Sequence, residues 1–286
     1  MELINEFDPW KSKLCTCPFK YSLNVYTGCS HACAYCYITS YIKSGFKVRV
    51  KRNLLPRLRR ELESRRWKRK VVVLSASSDP YQKIDAKLKL TRKCINLFRE
   101  FDWRILVMTK SDLVLRDVDL LKDISVISIT ITTVDAGLSK LLEPNVPSPR
   151  ERIRAAKELK KKGIPVCVRI DPIIPFINDD FSKIEKLVKI LSKIGVDHII
   201  SSTYKARKDS LARLSMKFPE KYEKLVELYR RGERISNYYY LPRDLRYEIM
   251  RKVKKICSKF GISFACCREG FRELNDNICD GSFLLS

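Results

Sequence analysis

Short apolar runs alternate with amphipathic segments along the first two thirds of the chain. The apolar runs are rich in β-branched residues and lack polar alternation, as expected of strands that are covered on both faces. They predict six strands, at residues 23–26, 71–76, 105–109, 126–132, 165–170 and 198–202. Such an alternation favours βα units built around a parallel sheet.

Periodic apolar positions predict helices between these strands. Residues 88–101 place their apolar side chains on one helical face. The segments 150–162 and 181–194 are also amphipathic, and each ends at a glycine, Gly163 and Gly195. The first of these two segments also begins with a serine and a proline, a common start of a helix.

The alternation stops after residue 203. Helical patterns follow at 207–214, 219–230 and 242–260, and then a short strand-like run at 262–265. The sequence therefore predicts three regions: an N-terminal segment with a cysteine pair at 1–20, a (β/α)6 core at 21–203, and a helical, basic extension with a cysteine-containing tail at 204–286.

Three cysteines follow the first predicted strand at the spacing C-x3-C-x2-C: Cys29, Cys33 and Cys36. Three thiolates on one loop can bind three irons of a [4Fe–4S] cluster and leave the fourth iron open to another ligand. Two alternatives are a zinc site completed by Cys17 or His31, and a set of buried thiols.

With Tyr35 just before its third cysteine, this motif resembles that of the radical S-adenosylmethionine (SAM) superfamily. Residues 78–82, followed by residues 90–92, resemble the spore photoproduct lyase-like branch. The resemblance implies a partial (β/α)6 TIM-type barrel with its chemistry at the carboxyl ends of the strands. It also implies a [4Fe–4S] cluster, SAM, an external electron donor, and reductive cleavage of SAM to a 5′-deoxyadenosyl radical.

The resemblance further implies where SAM binds. Tyr35 would lie near the adenine, and Ser77, Ser78 and Asp79 would bind the amino group, because they follow the second predicted strand. The alternative is a turn capped by Asp79, since Asp-Pro sequences are common in turns.

Three more candidates for cofactor binding lie at or after strand ends. Lys110 follows the third strand, where it can bind a carboxylate or phosphate or simply begin a helix. Thr132 ends the fourth strand. Arg169 lies within the apolar fifth strand, and the resemblance implies that it contacts the SAM carboxylate or a nearby polar group. The alternative is a structural pair with Asp171.

Two further positions bear on the reaction. Cys167 is expected on the same strand face as Arg169, either as a hydrogen donor or as a small core residue. The resemblance puts Ala76 where the photoproduct lyase has its donor cysteine, so SAM cleavage is expected but photoproduct repair is not.

Glu143 and Arg152 are a candidate structural ion pair.

Five other cysteines lie near the two chain ends: Cys15, Cys17, Cys266, Cys267 and Cys279. Four of them could bind a second iron–sulfur cluster or a zinc ion, and the alternative is a scatter of buried thiols. No signal peptide and no run of eighteen apolar residues is evident, so a reducing, cytoplasmic location without a membrane span is expected.

The formal net charge is +25, from 58 basic and 33 acidic residues. Such a field favours a polyanion such as DNA or tRNA. Residues 43–70 carry thirteen Lys or Arg against two Glu, and residues 204–259 interleave basic residues with tyrosines that can stack on bases. A solvated charged surface above core tyrosines explains the same pattern. The variant expected to weaken phosphate binding replaces Arg65, Arg66, Lys68 and Arg69.

The sequence therefore predicts a radical SAM enzyme that acts on a nucleic-acid base, in DNA repair or in RNA modification. One alternative is a radical SAM enzyme that acts on a protein or a small molecule. The other is a non-catalytic, metal-containing protein that binds nucleic acid. The oligomeric state does not follow from the sequence.

Overall fold

The fold is built around one eight-stranded sheet. The structure is a computed structural model that describes residues 2–7, 12–64, 67 and 71–285. The described strands are β1 (Asn5–Glu6), β2 (Tyr21–Leu23), β3 (Tyr26–Thr27), β4 (Arg49–Val50), β5 (Val71–Leu74), β6 (Arg104–Thr109), β7 (Ser125–Thr130), β8 (Val166–Ile173), β9 (His198–Thr203), β10 (Glu233–Ile235), β11 (Tyr238–Tyr240) and β12 (Ser263–Cys266). The main sheet has the order β1-β2-β5-β6-β7-β8-β9-β12. β1 pairs antiparallel with β2, and the other neighbouring strands pair in parallel.

Helices connect the parallel strands. The described α-helices are α1 (Leu54–Glu63), α2 (Lys83–Leu88), α3 (Leu90–Glu100), α4 (Val118–Leu121), α5 (Ala136–Leu142), α6 (Pro149–Lys161), α7 (Phe181–Ile194), α8 (Lys208–Lys217), α9 (Pro219–Arg230) and α10 (Arg243–Lys259). Local sequence explains how α6 begins, because Ser148 and Glu151 cap each other's backbone N–H groups and Pro149 occupies the first turn.

The sheet has an apolar core on each face. The larger core lies between the strands and the helices. The smaller one consists of side chains from five successive strands, Val73, Leu106, Val126, Cys167 and Ile200. Leu284 and Leu285 pack against it, so the end of the chain helps to fill the concave face of the sheet.

The predicted α/β class with a parallel sheet is confirmed, and each of the six predicted strands overlaps an observed one. Observed boundaries differ by a few residues; the first strand, for example, is Tyr21–Leu23 rather than 23–26. The run predicted at 262–265 is β12, which pairs with β9. The region after residue 203 therefore returns to the main sheet.

Within the described residues, no helix is both long enough and apolar enough to cross a membrane.

Candidate active site

A cavity of about 510 Å³ lies where the parallel strands end. Residues at or just after the carboxyl ends of β5, β6, β7, β8, β9 and β12 line it, and so do the three cysteines of the C-x3-C-x2-C motif. This size is within the usual range for sites of small ligands. The cavity therefore brings together residues that are far apart in the sequence.

The cysteine loop is fixed by contacts with other parts of the chain. The Cys29 N–H donates to the carbonyl oxygen of Gly45 over 2.8 Å, and the Ala34 N–H donates to that of Leu142 over 2.8 Å. Arg213 donates through Nε to the Ala34 carbonyl and through Nη2 to the Cys36 carbonyl. The three cysteines are thus held before any cofactor binds.

The thiols of this loop suit a soft metal. Burial raises the pKa of Cys29 to about 12, and Asp79 adds to that effect. Burial likewise raises the pKa of Cys33 well above its ordinary value, although Lys110 opposes it. Metal binding would release these protons, since thiolates are the ligands. Three thiols facing one cavity fit a [4Fe–4S] cluster with one open iron.

Among the described side chains, no three of His, Cys, Asp or Glu converge on the position of one metal ion. A four-iron cluster spreads its ligands over separate irons, so the cysteine loop does not need such convergence. The zinc alternative would use His31 or Cys17 as a fourth ligand. His31 instead contacts Asp79, with 3.3 Å between Nε2 and Oδ2, and the Asn145 carbonyl. Cys17 contacts Cys279.

Tyr35 is oriented by a buried ion pair. Its hydroxyl donates to Oε1 of Glu143, whose Oε2 lies 2.7 Å from Nη2 of Arg152. Both side chains of this pair are fully buried. Lys110 places Nζ 5.8 Å from the centroid of the Tyr35 ring. The predicted pair of Glu143 and Arg152 is observed, and it supports the wall of the cavity.

Ser77, Ser78 and Asp79 all line the cavity. Ser77 donates its N–H to Asn24, and Ser78 donates its hydroxyl to the Tyr26 carbonyl. Asp79 is buried and already accepts hydrogen bonds from the Tyr81 N–H, the Thr109 hydroxyl and the Lys110 N–H. Asp79 thus joins the ends of the neighbouring strands β5 and β6.

The fourth-strand candidate does not reach this cavity. Thr132 lies two residues beyond the end of β7 and lines a separate small cavity with Asn178. Thr130, the last residue of β7, lines the main cavity instead. Lys110 lines the main cavity, as expected for a residue at the end of β6.

Arg169 lines the cavity and pairs with Asp171, with 2.6 Å between Nη2 and Oδ2. Asp171 also accepts from the Ser202 hydroxyl. Cys167 is fully buried in the smaller core, where Gly281 lies against its Sγ. The expectation that Cys167 is a hydrogen donor is not supported by this placement, which fits a core residue.

The remaining cysteines separate into two groups. Cys17 and Cys279 contact each other with 3.3 Å between their Sγ atoms, and the Cys17 N–H lies 3.4 Å from Sγ of Cys15. Cys267 lines the cavity together with Cys15 and Cys17. Cys266 belongs to the larger apolar core.

Part of the first basic stretch lies outside the described residues, and the second stretch contains buried tyrosines. Arg65, Arg66, Lys68 and Arg69 lie outside the described residues. In the second stretch, three of the tyrosines expected to stack on bases have little exposure: Tyr229, Tyr238 and Tyr240 are each at most 5% exposed. Tyr229 donates to the Tyr204 carbonyl, for example. Tyr229 and Tyr240 are therefore core residues, as the alternative expected, whereas Tyr238 has little exposure but lines the cavity.

Sequence reasoning missed one part of the site. Tyr37, Tyr41, Tyr238 and Arg268 line the same cavity and meet only through the fold. Two local signals existed, the tyrosines of the stretch 204–259, which include Tyr238, and the position of Arg268 directly after β12.

The family model of the Radical SAM superfamily matches residues 23–189, more than half of the chain. The chain belongs to the radical SAM superfamily. The resemblance seen in the cysteine motif is thereby confirmed, and the protein is a radical SAM enzyme. Members of this superfamily use a [4Fe–4S] cluster and SAM, and the residues around the cavity fit both.

Curated relatives include uncharacterized proteins. One from Mycobacterium tuberculosis is 27% identical over 267 residues, covering 86% of this chain and 76% of the relative. One from Methanocaldococcus jannaschii is 41% identical over 170 residues, covering 56% and 62%. The radical SAM Nα-GlyT isomerase of Pseudomonas phage M6 is 23% identical over 255 residues, covering 84% of this chain and 52% of the phage protein.

Among solved structures, spore photoproduct lyase in complex with a dinucleoside spore photoproduct is similar, with a TM-score of 0.69. The match covers 91% of this radical SAM enzyme and 77% of the lyase, at 17% sequence identity. This likeness shows the fold. It agrees with the predicted resemblance to the lyase-like branch and with the predicted partial TIM-type barrel.

Proposed function

We propose that this radical SAM enzyme acts on a base in DNA or RNA. One observation carries the proposal: the cavity lined by Cys29, Cys33 and Cys36 is also lined by aromatic and cationic side chains. Aromatic rings suit a nucleobase and guanidinium groups suit a phosphate. The net charge of +25 acts in the same direction over longer distances.

The bound cofactors would supply one-electron chemistry, namely reductive cleavage of SAM to a hydrogen-abstracting 5′-deoxyadenosyl radical. An external donor provides the electron. Cys29, Cys33 and Cys36 would bind the cluster. Tyr35 would lie against SAM, because its ring lines the cavity and its hydroxyl is held in place by Glu143.

The other cavity residues proposed for SAM are polar groups on strand ends. Ser77 and Ser78 remain candidates for its amino group, and Lys110 and Arg169 for its carboxylate. Arg169 would have to share its guanidinium between Asp171 and the cofactor, which five N–H donors allow.

One structural neighbour supports a nucleic-acid substrate. Spore photoproduct lyase was solved with a dinucleoside spore photoproduct. Repair of the photoproduct itself is not proposed, because the resemblance puts Ala76 at the position of the lyase's donor cysteine and Cys167 is buried in the core.

The test is anaerobic incubation of the reconstituted enzyme with SAM, a reductant, and either total tRNA or irradiated DNA. The nucleic acid is then digested to nucleosides and analysed by mass spectrometry. A nucleoside that appears or disappears only when both SAM and the intact cysteine loop are present would support the proposal. If all nucleosides are unchanged while SAM is consumed, the substrate is a protein or a small molecule.

We also propose that the cysteines at the chain ends bind a second metal, as an iron–sulfur cluster or zinc. The contact between Cys17 and Cys279 supports this proposal, since soft thiolates favour such metals. A metal would have to draw Cys15 or Cys267 closer to this pair to gain a third ligand.

A further inference from the structure

Two arginines contact one aromatic ring that lines the cavity, Tyr238, and one of them, Arg268, lines the cavity as well. The guanidinium carbon of Arg207 lies 4.8 Å from the centroid of the Tyr238 ring, and that of Arg268 lies 4.9 Å from it. Arg207 comes from the start of α8 and Arg268 from the loop after β12. Two like charges are thus held on one ring by parts of the chain that are distant in sequence.

Three arginines elsewhere in the described residues, two of them fully buried, have carboxylate partners. Arg152 pairs with Glu143, Arg246 with Glu269, and Arg169 with Asp171. None of the ion pairs found in the described part of the chain includes Arg207 or Arg268. Arg268 instead donates to the Tyr240 hydroxyl over 3.1 Å.

Nearby carboxylates are already bound by other groups. Glu269 accepts from Thr203 and pairs with Lys205 and Arg246. Asp209 accepts from Thr39 and Ser40. The carboxylates at the cavity wall are also paired, Asp79 with His31, Asp171 with Arg169, and Asp280 with Lys20. The charge of the arginine pair is therefore not neutralised by these groups.

Backbone conformation points to the same place. Arg268 has φ +55°, in the left-handed region that residues with a side chain seldom adopt. Such strain is often found at functional sites, and Arg268 lines the cavity.

Aromatic rings continue from the arginines toward solvent. Tyr37 packs edge-on against Tyr238, with ring centroids 6.4 Å apart, and stacks on Tyr41, with centroids 6.1 Å apart. Tyr41 is 42% exposed and also lines the cavity. A base could stack here beside a phosphate bound by the arginines.

We propose that Arg207 and Arg268 form a phosphate subsite at the cavity, so that the substrate is a nucleotide unit within a nucleic-acid strand rather than a free base or nucleoside. This inference rests on the proposed function and deepens it. The planar fork of a guanidinium suits phosphate oxygens, and two adjacent forks favour a doubly contacted phosphate or two successive ones.

The test measures binding and not turnover. Fluorescence anisotropy of labelled single-stranded DNA and RNA oligonucleotides is followed over a range of salt concentrations with the reconstituted enzyme. The variants are Arg207→Gln, Arg268→Gln, Arg268→Lys and the double glutamine change. The matched control is Arg251→Gln, which removes the same charge from an exposed arginine that is paired with Glu248 on α10.

We expect the double variant to bind roughly tenfold or more weakly, because each guanidinium would donate charge-assisted hydrogen bonds to phosphate that glutamine cannot replace. The slope of log affinity against log salt should flatten by about 0.7 for each phosphate that is no longer neutralised. Arg268→Lys should restore part of the affinity, and the control should bind like the wild type. Circular dichroism verifies that each variant is folded, and Arg207→Gln provides an independent change at the start of α8.

Equal affinity and slope for the double variant and the control would overturn the subsite. Competition arms with inorganic phosphate, mononucleotide and nucleoside separate the sources of the phosphate: competition by inorganic phosphate equal to that by oligonucleotide would overturn the strand assignment. The two proposals can fail separately. Arginine-dependent binding without any altered nucleoside would refute the reaction, whereas an altered nucleoside with arginine-independent binding would refute only the subsite.

Discussion

The Sγ atoms of Cys17 and Cys279 lie 3.3 Å apart, although 262 positions separate the two residues in the chain. Beside them, Lys20 forms a buried ion pair with Asp280. These contacts join the segment before β2 to the segment after β12. The two chain ends therefore meet at the wall of the cavity that also contains the cysteine loop.

The first prediction concerns metal bound at this junction. Anaerobically purified wild type should contain iron or zinc beyond the four irons of the main cluster, and Cys17→Ser/Cys279→Ser should lose that excess. Elemental analysis checks both. Cys94→Ser is the matched control, because Cys94 is a buried thiol in the larger core. Four irons and no zinc in wild type and variant alike would leave the pair as ordinary thiols.

A second prediction tests how the tail fills the concave face of the sheet. Gly281 has φ +81°, and a Cβ there would overlap Sγ of Cys167. Gly281→Ala should reduce the free energy of unfolding by about 2–4 kcal/mol, from overpacking and backbone strain together. Gly163→Ala is the control, since it shares a positive φ but has nothing within 4 Å, and it should cost about 1 kcal/mol.

Adding Cys167→Ala to Gly281→Ala should recover part of the lost stability, because it removes the overlapping sulfur. Urea unfolding measures each variant. If Gly281→Ala costs no more than Gly163→Ala, the tail does not pack against Cys167 as described.

The third prediction concerns the support of Tyr35. Glu143→Gln leaves the buried Arg152 without a carboxylate and should reduce the free energy of unfolding by about 3–5 kcal/mol. Tyr35→Phe removes one hydrogen bond to that carboxylate and should cost about 2 kcal/mol. Denaturant titration gives both values. Equal costs for the two variants would show that the ion pair contributes nothing beyond the tyrosine contact.

A fourth prediction follows from two buried carboxyl groups. Burial opposes their ionisation, but Arg152 and Lys110 hold the pKa of Glu143 below its ordinary value of 4.5, and His31 does the same for Asp79. Both groups therefore stabilise the fold above their ordinary pKa values, and this contribution is lost as the pH falls through their lower folded values. Stability of the cofactor-free chain should decline below pH 4.5, and Glu143→Gln should decline less steeply. Parallel pH profiles would contradict this.

Local pattern was enough to predict the strands and the cysteine loop, because apolar runs and the spacing of Cys29, Cys33 and Cys36 are properties of short segments. It was not enough for Thr132, since only the observed end of β7 shows that Thr130 faces the cavity. Basic residues interleaved with tyrosines predicted a stacking surface, yet packing buries Tyr229 and Tyr240.

Long-range pairs depend on the complete fold. Arg207 and Arg268 carry no shared motif, and they come together because β12 returns beside β9. Cysteines near both chain ends indicated that such residues could lie close together. The contact between Cys17 and Cys279, however, depends on how the segment after β12 lies against the sheet.

The most direct test of the central claim is the amount of 5′-deoxyadenosine formed per chain under anaerobic, reducing conditions. Wild type reconstituted with iron and sulfide should be brown, contain a [4Fe–4S] cluster and convert SAM to 5′-deoxyadenosine. The variant with Cys29, Cys33 and Cys36 all changed to Ala should form none, whereas Cys94→Ser should behave like the wild type. A colourless, zinc-loaded wild type that leaves SAM intact, or equal turnover by the triple variant, would contradict the assignment of this cavity as a radical SAM active site.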